Sequence, residues 1–166
     1  RVLTFSTDTP VLHPLTACTE RSAVRAIDID ERHESLFFVC GTSVFRVSFD
    51  GTVLGQWRWN DEPFSIRFAG DRNQLWLACD GLEVIDISTG LSTVWGQGRI
   101  CPYVDVEVAP DGKVACFGGD IDVFKPNGEL LSPVTGDYNG GLFDSMGQLL
   151  AREVTQEFPA DVTIRD

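Results

Sequence analysis

A strand, glycine turn, strand unit returns three times in this 166-residue chain, and it constrains the fold more than any other feature. The stretches 44–54, 82–92 and 121–131 alternate apolar and polar residues on both sides of Gly51, Gly90 and Gly128. The first two glycines lie 39 residues apart and the last two 38. Alternation with a period of two belongs to strands that are half buried, whereas a helix would repeat every 3.6 residues. A second hairpin precedes each unit. Residues 26–30 turn into 36–39, residues 64–68 into 75–77, and residues 104–108 turn through Pro110-Asp111-Gly112 into 113–115. Residues 142–144 turn through Ser145-Met146-Gly147 into 148–151. Asp-Gly and Asn-Gly pairs between such runs signal hairpins, because these residues accept the positive φ of a tight turn.

Each unit therefore holds four short strands, A to D, and the period is that of propeller blades. The expected fold class is all-β: a β-propeller of about four four-stranded antiparallel blades, at residues 24–63, 64–102, 103–139 and 140–166. Residues 1–23 read as a partial blade or closing strands, with 1–6 as a C strand and 11–16 as a D strand. Residues 161–166 read as a further C strand. Two closures stay open: a small closed ring in which 11–15 supplies the outer strand of the last blade, or a fragment of a larger propeller.

On residues 26–30, 36–38 and 44–51 the chain resembles NHL and YWTD repeats. The turn Val108-Ala109-Pro110-Asp111-Gly112-Lys113-Val114 is similar to the A-to-B turn of those families and of lactonase-like propellers. The resemblance is one of pattern over residues 24–166 and implies the fold and a general binding role. Leu36-Phe37-Phe38-Val39 stands where a YWTD signature would, and there is no Gly-His or Trp-Asp pair of the WD type.

A net charge of −12 repels phosphate at long range, so nucleic acid is a poor partner and a protein partner, or a larger complex, is expected. No apolar run reaches the roughly 18 residues of a membrane-spanning helix, so no membrane insertion is expected. Residues 1–6 lack the order of a signal peptide. Cys40, Cys79 and Cys116 close equivalent apolar runs a whole blade apart, too far for most such pairs to bridge. With Cys18 and Cys101 they read as small buried hydrophobes of an intracellular, reducing compartment. No CxxC or CxxH spacing suggests zinc, and no cofactor is implied.

Function on a propeller sits at the loops joining D to the next A and B to C, since the blade flanks pack on one another. Those loops offer Asp61, Glu62, Asp80, Arg99, Asp120, Asp137 and Tyr138 as partner-binding residues converging on one axial mouth. Trp57 and Trp59, alternating with Arg58, share one side of an outer strand, where they pack between blades or form a protein-contact patch. The inner strands alternate acid with aliphatic, and Asp28, Asp30, Asp105 and Glu107 read as solvated channel lining. The leading expectation is a non-enzymatic scaffold for protein interaction or complex assembly. The alternative is a metal-dependent, lactonase-like hydrolase with carboxylates at the mouth. Nucleophilic catalysis is poorly supplied: there is no GxSxG, His13 lies in an outer strand, and His33 in a turn at the opposite face.

Overall fold

Alternating apolar residues can bury one side of a strand only against another sheet, and this chain solves the problem by stacking sheets in sequence order. The computed structural model describes residues 2–6, 9–13, 18, 24–95, 103–131 and 133–154. A two-stranded sheet pairs β1 (Val2–Ser6) with β2 (Thr9–His13). The first four-stranded sheet runs β3 (Val24–Asp30), β4 (Ser35–Cys40), β5 (Ser43–Ser48) and β6 (Val53–Arg58). The second runs β7 (Ser65–Ala69), β8 (Gln74–Ala78), β9 (Leu82–Asp86) and β10 (Ser92–Trp95). The third runs β11 (Asp105–Val108), β12 (Val114–Phe124), β13 (Val134–Phe143) and β14 (Leu149–Glu153). All pairings are antiparallel between neighbours in the chain, as in propeller blades.

The repeat sets which way each side chain faces. Phe37 and Val39 of β4 point forward, into a cluster with Ile66, Leu75, Leu77 and Ile85 of the second sheet. Trp76 and Ala78, 39 residues on, point forward into a cluster with Val106, Val114, Cys116 and Phe124 of the third. Ala115 and Phe117, another 39 on, point forward onto Phe143 and Leu149. At these paired positions Phe with Val gives way to Trp with Ala, then to Ala with Phe. A large residue is matched by a small one each time, which keeps the junction volume nearly constant. Each large apolar side chain fully buried here contributes about 1.5–3 kcal/mol.

The expected division at 139/140 falls inside β13, whose first part pairs with β12 at Val134 and Tyr138 and whose second part pairs with β14. The outer strand of the third unit thus passes without a loop into the inner strand of the next, and Leu142 to Ala151 joins the third sheet. Gly141 allows it: a Cβ there would stand 2.6 Å from the Leu150 carbonyl and 2.7 Å from the Phe117 ring. Likewise the expected B-to-C loop 118–120 lies within β12, which shifts register after Gly119. Among the described residues β2 pairs with β1. The expected C strand at 161–166 lies outside the described residues.

Two further expectations are corrected. Cys18 and Cys40 form a disulfide, Cα atoms 6.0 Å apart, while Cys79 and Cys116 are free and buried. Cys79 and Cys116, at equivalent places in the repeat, stay unbridged, whereas Cys18 lies outside the repeat and packs against the backward face of the first sheet. Cysteine usage therefore no longer argues for a reducing compartment. The inner-strand acids, second, are engaged rather than solvated channel lining. Asp28 accepts from the Phe68 amide at 2.6 Å, Asp105 from Ser65 Oγ at 2.6 Å, and Glu107 from Arg67 at 2.6 Å. Asp30 is buried and pairs with Arg46 at 2.7 Å and His33 Nδ1 at 2.8 Å, because a buried carboxylate needs partners to offset its lost hydration.

Candidate functional site

β6 carries Trp57 on its forward side, and two residues later Trp59 points the same way because side chains alternate along an extended strand. Trp57 packs on Phe37, ring centroids 6.4 Å apart, and reaches the C-to-D turn of the second sheet, where a Cβ on Gly90 would lie 3.7 Å from its Nε1. The Trp59 backbone amide donates to the Thr42 carbonyl at 2.8 Å, and its indole Nε1 donates to Glu83 Oε2 of β9. Both rings are half buried, held by the neighbouring sheet and open on the remaining side.

The opening is a cleft of about 650 Å³ between the first and second sheets. Its walls are Trp57, Arg58 and Trp59 on one side and Glu83, Ser92 and Val94 on the other, with Asp61 and Asp80 at the rim. Asp61 and Asp80 are exposed and Glu83 half buried, so three carboxylates meet two indole faces and one guanidinium. Cys79 also borders the cleft, but burial pushes its thiol up, and it donates to the Gly81 carbonyl at 3.2 Å. A protonated, buried thiol is a poor nucleophile.

Of the residues expected to form one mouth, the cleft gathers only Asp61 and Asp80, and it joins them to Trp57 and Trp59, which were expected apart from the mouth on an outer strand. Glu62 pairs instead with Arg25 of β3 at 2.9 Å, and that guanidinium also lies over the Phe64 ring. Asp120, Asp137 and Tyr138 belong to the third sheet: Asp120 accepts from the Gly136 amide at 3.1 Å, the Asp137 carbonyl accepts from Val154, and Tyr138 packs with Phe117 and Ile121. Arg99 lies outside the described residues. The expectation missed Glu83, which stands in the alternating stretch 82–86. Its signal was there, since a charged residue on the backward side of a strand must face the preceding blade. Among the described residues no three His, Cys, Asp or Glu side chains group as metal ligands, and no helix is long and apolar enough to cross a membrane.

No protein-family model matches the chain, and no curated protein matches it. Among solved structures it is similar to the crystal structure of the WD40 β-propeller domain of Doa1, at 15% identity and a TM-score of 0.71. The likeness covers 84% of this chain and 53% of that one, so the chain spans about half the length of that propeller. At such identity the likeness shows the fold alone, a β-propeller.

Proposed function

We propose that this propeller is a non-enzymatic interaction scaffold, and that the cleft at Trp57 and Trp59 holds a basic segment of a protein partner. The observation that carries this reading is the pairing of half-buried indole faces with Asp61, Asp80 and Glu83 around one open cavity. An ammonium or guanidinium group placed over an indole face gains about 0.5–2 kcal/mol, and nearby carboxylates add attraction and orientation. The net charge of −12 favours approach of such a segment from a distance. Trp59 is already held by Glu83, so little ordering is required on binding. The NHL and YWTD pattern supports a binding role in the same direction.

The test is a synthetic peptide array graded in net charge, probed with the purified chain. Lysine- and arginine-bearing peptides should bind, weaken as salt rises, and lose about tenfold or more in affinity with Trp59→Ala or Asp80→Asn. Equal binding of basic and acidic peptides, or binding that both variants retain, overturns the reading.

A further inference from the structure

The chain holds two of its own arginines by one device. The Arg46 guanidinium lies over the Phe37 ring, 5.4 Å from its centroid, and donates to the buried Asp30 carboxylate at 2.7 Å. That of Arg25 lies over Phe64 at 5.6 Å and pairs with Glu62 at 2.9 Å. In both, one group meets an aromatic ring and a carboxylate together. The two lysines are held differently: Lys113 and Lys125 pair with Asp111 and Glu129, exposed acids of their own turns, and among the described residues neither lies over a ring.

The cleft between the first and second sheets offers the same two partners in stronger form. Trp57 and Trp59 stand on one wall, and an indole attracts a cation more than a phenyl ring does. Glu83 stands on the other wall, with Asp61 and Asp80 at the rim. The bond that Glu83 Oε2 accepts from the Trp59 indole leaves lone pairs on both carboxylate oxygens. Three carboxylates outnumber the one guanidinium of Arg58, and among the described residues no cation covers either indole. We propose that the cleft selects arginine over lysine, so that a partner anchors there through a guanidinium; this rests on the reading of the cleft as the seat of a basic segment. A guanidinium is flat and weakly hydrated, so it can lie on an indole while its in-plane N–H groups reach a carboxylate as a fork. An ammonium is compact and strongly hydrated. It meets a carboxylate as a point charge, and it must shed firmly held water to approach a half-buried ring.

Titration calorimetry of the whole chain against three peptides on one glycine and serine background tests this. The first carries three arginines, the second three lysines, and the third three citrullines, which keep the shape of arginine without its charge. The arginine peptide should bind about tenfold more tightly than the lysine peptide, and the citrulline peptide should not bind. Glu83→Gln keeps an oxygen for the Trp59 indole and removes the charge that the fork requires. It should bring arginine down to the level of lysine while the strand-rich circular dichroism stays unchanged. Equal affinity for arginine and lysine overturns the selectivity and leaves the basic-segment reading standing, whereas binding of neither peptide overturns both. Citrulline bound as well as arginine, or a preference for arginine that survives both Glu83→Gln and Trp57→Leu, also overturns the proposal.

Discussion

The two internal junctions of this propeller are built on one plan and end differently. Between the first and second sheets, the acid of the C strand is Glu83, which accepts from Trp59 at the wall of an open cleft. Between the second and third, the corresponding acid is Asp122, only 1% exposed and bonded at 2.5 Å to the hydroxyl of Tyr103. Tyr103 is itself buried, so an aromatic ring fills the second junction where the first leaves space. The outer-strand tryptophans show the same divergence. Trp57 meets the Gly90 turn loosely, while Trp95 lies so close to Gly128 that a Cβ there would stand 2.9 Å from its ring. Repetition fixes the frame, and a few substitutions in it close one seam into core and leave the other as an open cleft.

The contrast breaks most visibly at the two aromatic plugs. Tyr103→Ala should destabilise the chain by about 3–5 kcal/mol, because it opens a cavity and removes a hydrogen bond to the buried Asp122 carboxylate. Trp59→Ala, at a half-exposed ring, should cost about 1–2 kcal/mol. Urea unfolding followed by fluorescence gives both numbers, and equal losses would mean that the two seams are not different in kind. The turn glycines separate the seams by a smaller margin. Both adopt positive φ, +71° at Gly90 and +86° at Gly128, so alanine strains either backbone by about 1–2 kcal/mol. Gly128→Ala must also displace Trp95, and it should therefore lower the urea midpoint more than Gly90→Ala does.

The smallest effect is that of acid. Hydrogen bonds from the Ser88 side chain, and then from the Thr89 backbone, hold the Asp86 carboxyl below its ordinary value, and these bonds shape the turn that seats Trp57. A carboxyl lowered on folding contributes stability that is present above its ordinary pKa and is lost as pH falls through the lowered value. At the corresponding turn of the third sheet, between its C and D strands, the lowered acid is Glu129, bonded chiefly to the Lys125 side chain. Acidification should therefore shift the Ser88 and Thr89 amide resonances together with Asp86, and Ser88→Ala should raise that midpoint. Amides that titrate independently of Asp86 would separate the turn from the carboxylate.

Strand alternation and the glycine spacing determined the all-β propeller and the facing of most core positions, because a period of two and a repeat near 39 residues are local properties. They also marked Trp57, Trp59, Asp61 and Asp80, each read from its place in a strand or loop. Only the tertiary structure decided that these four meet while Glu62 turns to Arg25, since convergence depends on how two sheets pack and on which neighbour is nearest. The Cys18–Cys40 bridge and the run of one outer strand into the next inner strand were decided the same way. Both join positions whose proximity no local pattern encodes. Alternation tells a side chain which face it occupies; what stands opposite depends on the packing of another sheet.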